Sequence, residues 1–159
     1  MSYRQSLIID NNSRLVSNNS AIKEAGQISP FTKTRKGDQE KPMEYLRKKG
    51  TRKIVEITAG RGTTMQVLVG SDEAPHFALR KFSMEPHGGM PLHTNTVEHE
   101  QYIVSGSASV VIGEQTYEVA AGDSVFIPAL VPHSYTAGKD GFAFICVVPN
   151  KEDKIELVS

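Results

Sequence analysis

The residues able to do chemistry crowd into one stretch, Gly88-Gly89-Met90-Pro91-Leu92-His93-Thr94-Asn95-Thr96-Val97-Glu98-His99-Glu100, which then runs into an apolar segment ending at Gly106. Two histidines, an amide and two carboxylates fall within eight residues. On a β-strand, side chains two apart point the same way, so His93 and Asn95 share a face and His99 returns to it after a short bend. Neutral imidazole is the commonest protein metal ligand, and an Asn side chain offers a carbonyl oxygen. A third histidine, His133, lies far off in Ile127-Pro128-Ala129-Leu130-Val131-Pro132-His133-Ser134-Tyr135. Local ligands plus one distant ligand are what a metal pocket built from a sheet requires.

The stretch resembles the cupin superfamily, specifically small single-domain cupins whose first motif reads His-x-His-x-x-x-His-Glu, with Asn95 where the second histidine usually stands. The second motif is Gly122-Asp123-Ser124-Val125-Phe126-Ile127-Pro128, followed five residues later by His133. The resemblance covers roughly residues 65–149. It implies an all-β jelly-roll barrel holding one divalent ion (Fe, Mn, Ni, Co or Zn) on His93, His99 and His133, with Asn95 in or beside the ligand set. Asn95 can ligate through its oxygen, hold a metal-bound water or leave an open position; a site that has lost its metal and binds only a small molecule is a fourth reading. Amide oxygen is a weaker donor than imidazole to first-row transition metals, so binding should be weaker than with four histidines. Glu98 and Glu100 point away from the pocket if the pleat holds, and a one-residue slip would bring either in.

Alternation supplies the walls. With His99 inward, Gln101 and Ile103 are inward too; His133 shares a face with Tyr135, and Phe142 with Phe144 and Cys146. The resemblance turns Arg80 to the same interior. Arg80, Gln101 and Tyr135 are then the polar groups of a substrate cavity walled by Phe144 and Cys146, the usual make-up of a small-ligand site. The planar fork of Arg80 suits a carboxylate. Cys146, deep in an apolar strand, reads as a small core residue rather than a nucleophile. His76 and His87 have no constrained spacing to the others and read as half-buried polar residues with satisfied hydrogen bonds. No residue is assigned a catalytic role.

These residues need a sheet to hold them, and the pattern from residue 53 onward is β throughout. Strands are expected at 53–58, 63–69, 77–84, 101–104, 108–112, 116–119, 124–127, 133–136 and 142–148, with a tight bend at 85–89 and a hairpin turn at Gly113-Glu114. Many short strands with evenly spaced turns indicate an antiparallel barrel or sandwich of jelly-roll type. Before them, residues 41–50 read as a short helix, with Pro42 in its first turn, basic residues in its last and Gly50 beyond. Residues 1–40 are polar, broken by Leu7-Ile8-Ile9, Leu15-Val16 and Ile28, and read as an arm that adds strands to the barrel or to a partner subunit. The organisation is an N-terminal extension at 1–52, the barrel at 53–150, and a charged, peripheral tail at 151–159.

At 159 residues the chain suits one domain, and its zero formal net charge gives no pull towards nucleic acid or an anionic membrane. The single cysteine excludes an internal disulfide framework and fits a reducing compartment. The apolar run at the N-terminus is too short for a signal peptide, and none reaches transmembrane length, so a cytoplasmic protein is expected. The expected function is that of a metal-dependent oxygenase or isomerase on a small, oxygen-rich, anionic molecule, the protein being a homodimer. The alternative is a non-catalytic cupin that binds a small ligand or metal for sensing or sequestration, since one fold hosts both.

Overall fold

The computed structural model describes residues 45–158 and, as backbone, two short strands ahead of them. These are β1 (Ser6–Ile9) and β2 (Leu15–Val16), followed by β3 (Ile54–Glu56), β4 (Arg61–Val69), β5 (Phe77–Asn95), β6 (His99–Ile112), β7 (Gln115–Ala120), β8 (Ser124–Ile127), β9 (His133–Pro149) and β10 (Asp153–Leu157). Every pairing is antiparallel, and the strands form a jelly-roll barrel around one apolar core. No helix among the described residues is long and apolar enough to cross a membrane.

The fold hangs on three long strands. β9 is hydrogen-bonded to β5 on one side and β6 on the other. β5 also pairs with β4 along its first half and with β10 at its end, while β6 takes β8 at its start and β7 at its finish. Each long strand therefore serves two neighbours in turn and must bend between them. The segments expected as separate strands at 77–84, 101–104, 108–112, 133–136 and 142–148 are joined into these three. The turn signals between them mark bends, with register shifts at Met84/Gly89 and Gly106/Ala108, because a bulge lets a ladder continue round a corner. His87 at the first bend adopts a φ of 59°. Gly106 at the second has a φ of 73°, and a Cβ there would strike the Gly141 carbonyl oxygen, so only glycine suits the crossing.

Two expectations are corrected here. The described part of the proposed helix, residues 45–50, is not helical: it has no regular secondary structure and ends in a turn at Lys49-Gly50. Arg47 and Arg52 both reach Glu73, at 2.8 Å and 2.5 Å, which draws this segment along the barrel surface instead of letting it coil. Residues 41–44, like Ile28, lie outside the described residues. Second, residues 153–157 are not a peripheral tail. They form β10, inserted between β5 and β1, with Asp153 and Ile155 buried. Of the apolar clusters in the arm, Leu7-Ile8-Ile9 and Leu15-Val16 fall in β1 and β2, and Ile9 pairs with Asp153.

Candidate metal centre

The end of β5, the start of β6 and the start of β9 bring the three histidines together. His93 and His133 are cross-strand partners of β5 and β9, with ring centres 4.2 Å apart. His99 opens β6, its ring centre 5.7 Å from that of His133. All three are buried, as is Asn95. Glu98 and Glu100 are exposed, so the pleat holds and neither carboxylate enters. His76 and His87 are also exposed rather than half-buried, and neither lines the cavity.

Protonation suits ligand duty. Nδ1 of His93 donates to the Pro91 carbonyl oxygen at 2.7 Å, and Nδ1 of His133 to that of Val131 at 2.9 Å. Such a bond fixes the tautomer and leaves Nε2 as a lone pair facing inward. Burial lowers the pKa of His93, and burial with the neighbouring His93 takes that of His133 down to about 3, so both rings are neutral at pH 7. Nε2 of His133 and Oδ1 of Asn95 are buried acceptors without a hydrogen-bond partner, while Nε2 of His99 faces Asp153 at 3.8 Å. Buried acceptors left unpaired are costly, and a cation satisfies them.

Spacing is the weaker part of the fit. Two imidazoles sharing one ion at ~2.1 Å from each nitrogen have ring centres about 4.5–5.5 Å apart. The observed 4.2 Å and 5.7 Å fall just outside that range. Among the described residues no group of three His, Cys, Asp or Glu is set out as a formed metal site. Donor type, tautomer and burial therefore fit a divalent ion, while one ring spacing is slightly shorter and the other slightly longer than a single shared ion sets.

The group that sequence reasoning missed is Asp153. It is 1% exposed, and both carboxylate oxygens accept from Nδ2 of Asn95 at 3.0 Å. Its Oδ2 lies 3.5 Å from Nη1 of Arg80 and 3.8 Å from Nε2 of His99. Burial pushes its pKa up, but the contacts with His99 and Asn95 and the charge of Arg80 more than offset this and hold it low. The available signal was alternation: Asp153, Ile155 and Leu157 share one face of a strand whose other face is Glu152, Lys154 and Glu156.

The remaining expected residues divide. Gln101 donates from Nε2 to the Tyr135 hydroxyl at 2.7 Å, its Oε1 left buried without a partner. Both line the cavity with Phe144, which stacks on Phe82 and Tyr135. Burial raises the Tyr135 pKa, so its hydroxyl stays protonated. Arg80 reaches the cavity, but its guanidinium faces Asp153 rather than open space. Cys146 is the middle of a row with Arg80 and Gln101 across β5, β9 and β6, yet it lies in the core and does not line the cavity. Burial raises its thiol to about 12, which rules out a thiolate nucleophile.

The profile of the cupin domain family matches residues 80–148, which run from β5 to β9. Among solved structures, the polyketide cyclase RemF from Streptomyces resistomycificus is 28% identical, with a TM-score of 0.67 over 74% of this chain and 87% of that one. A cupin-2 domain protein from Rhodospirillum rubrum is 25% identical, with a TM-score of 0.64 over 75% of this chain and 83% of that one. An oxalate decarboxylase from Bacillus subtilis, 23% identical with a TM-score of 0.55, shares the fold over 62% of this chain and 27% of its own. No curated protein matches the chain. The profile falls on the strands that carry both histidine motifs, and the fold matches solved cupin-2 domain proteins over 68–75% of this chain: the chain belongs to the cupin superfamily.

Proposed function

We propose that this protein is a metal-dependent enzyme acting on a small, oxygen-rich molecule, with His93, His99, His133 and Asn95 holding one divalent ion. The observation that carries this reading is the pair of buried, unpartnered acceptors at Nε2 of His133 and Oδ1 of Asn95, beside the rings of His93 and His99. A divalent ion on neutral ligands would supply Lewis-acid polarisation of a carbonyl or hydroxyl oxygen, its charge undiminished by a carboxylate ligand.

The chain's own residues serve as the surroundings for that chemistry. Oε1 of Gln101 is positioned to accept from a substrate hydroxyl, and the protonated Tyr135 hydroxyl to donate to a substrate oxygen. Phe82, Met84, Met90 and Phe144 keep the walls apolar and limit water. Because Arg80 is paired with Asp153, it leaves no strong preference for an anionic substrate, and the expectation of a carboxylate clamp is dropped in favour of a neutral carbonyl, enol or diol compound. The similarity to a polyketide cyclase supports a carbonyl-rich substrate and an isomerising or ring-forming reaction over an oxygenation.

The second reading, a non-catalytic binder or sensor, is favoured by the lining: with the Tyr135 hydroxyl held protonated and Cys146 outside the cavity, no lining side chain beyond the ligand set is poised as a base or nucleophile. Elemental analysis and a ligand panel test the two together. The purified protein should carry near-stoichiometric metal, and His133→Ala should lose it while remaining folded by circular dichroism. Diols and β-dicarbonyl compounds should then perturb the visible spectrum of the cobalt-substituted protein, and one class should turn over. Full metal occupancy in His133→Ala would sink the ligand assignment. Binding without turnover on Fe, Mn, Ni, Co or Zn across the panel would favour the binder.

A further inference from the structure

We infer that Asp153, brought in by the C-terminal strand, is the positioning residue that turns the Asn95 amide so that its carbonyl oxygen, not its nitrogen, faces the histidines. The inference rests on the metal reading above and adds to it the device that makes an asparagine serviceable as a ligand.

An asparagine side chain is a donor at one end and an acceptor at the other, and nothing in its shape decides which end faces a pocket. Here the decision is made from behind. Nδ2 of Asn95 sits 3.0 Å from each carboxylate oxygen of Asp153. An ionised carboxylate only accepts hydrogen bonds, so the NH2 end must lie against it. The reversed amide would set oxygen against oxygen in a buried site. Oδ1 is thereby left facing away from Asp153, buried and without a partner. Nη1 of Arg80, 3.5 Å from Oδ2 of Asp153, balances the carboxylate's charge within the fold.

The backbone holds this arrangement in register. Ile155 of β10 pairs with Asn95 of β5, and the Thr96 amide donates to the Lys154 carbonyl oxygen at 3.2 Å. The Thr96 hydroxyl donates to the Glu152 carbonyl oxygen at 3.0 Å and accepts from the Lys154 amide at 2.9 Å. These bonds bracket Asp153 and fix its height beside Asn95. The logic is that of a carboxylate behind a metal-bound histidine, which fixes the ring and raises its donor strength. Here an amide takes the place of the imidazole. Exchanging an imidazole nitrogen for a carbonyl oxygen also moves the site's preference towards harder ions, Mn(II) or Fe(II), at the expense of Zn(II) and Ni(II).

The test uses the full-length protein with Mn(II), Zn(II) and Co(II) as probes. Asp153→Ala should weaken Mn(II) binding at least tenfold and alter the visible bands of bound Co(II), a signature that a loss of general stability would not produce. Asn95→Ala should cause a similar loss, and the double variant little more, since the two residues act as one unit. If Asp153→Ala does not fold, the isosteric Asp153→Asn and Asn95→Ala carry the comparison. Asn95→His with Asp153 intact should restore the preference for Zn(II) over Mn(II). Metal uptake with Asp153 variants that match the parent in affinity and spectrum would overturn this inference alone. So would a loss in the Asp153 variants that Asn95→Ala does not share, which would make Asp153 itself the ligand. A parent protein that takes up no metal would overturn both this inference and the reading beneath it.

Discussion

Two arginine–carboxylate clusters sit at opposite extremes in this molecule. On the surface, Arg47 and Arg52 close on Glu73 at 2.8 Å and 2.5 Å, with side chains 20–29% exposed. In the interior, Arg80 and Asp153 stand 3.5 Å apart, with side chains 2% and 1% exposed. The surface pair has the better geometry, and it lowers the Glu73 pKa chiefly through the Arg52 hydrogen bond. Yet water and salt can replace it, so it anchors a loop and little else. The interior pair has the poorer distance but no solvent to fall back on, and it shares its carboxylate with Asn95 and His99. Distance alone is therefore a poor guide to which pair matters; what remains unsatisfied when one partner leaves decides it.

The largest effect should come from breaking the interior pair one partner at a time. Arg80→Leu leaves a buried, uncompensated Asp153 and should cost about 3–5 kcal/mol in chemical denaturation. Arg80→Leu with Asp153→Leu should recover part of that loss, because no charge is then stranded. A single variant as stable as the parent would mean that water already reaches the pair.

A pH titration of the metal-free protein should follow. His133 is held neutral down to about pH 3 by burial and by His93, against an ordinary value of 6.5. Between those values the unfolded chain binds a proton that the folded chain refuses, so stability should be full above pH 6.5 and fall steadily as pH drops towards 3. The low Asp153 pKa acts in the same direction below its ordinary value of 3.8. Thermal melts at pH 7, 5.5 and 4.5 measure the slope, and a flat profile would contradict the buried, neutral state of His133. Glu73, out on the surface, should add little to this slope.

A smaller effect should come from removing residues 1–16. Strand β1 covers β10 on the side away from β5, with Ile9 opposite Asp153. Without it β10 becomes an open edge. Amide exchange over residues 153–157 should quicken several-fold, with a change in oligomeric state or solubility. Unchanged exchange and elution would show that β5 holds β10 unaided.

The smallest effect belongs to Glu73→Gln, which should cost no more than about 1 kcal/mol and less still in high salt. A loss comparable to that of Arg80→Leu would erase the contrast between the two clusters.

Much of the site was legible because it obeys local rules. The strand period alone places His99, Gln101 and Ile103 on one inner face, and His133 with Tyr135 on another; the structure buries all five. The same period sends Glu98 and Glu100 to solvent. Residues 45–50 misled because helix-end signals are weak and local, and two ion pairs to Glu73 outweigh them. What sequence could not supply is the back of the site. Asp153 is separated from Asn95 by 58 positions and from Arg80 by 73, in a segment whose charge reads as a solvated tail. A carboxylate's role depends on whether water or protein surrounds it, and only the pairing of β10 with β5 and β1 removes the water. The order of residues determines which side chains share a face; which faces meet, and which charges are thereby buried together, is settled by the long-range ladders alone.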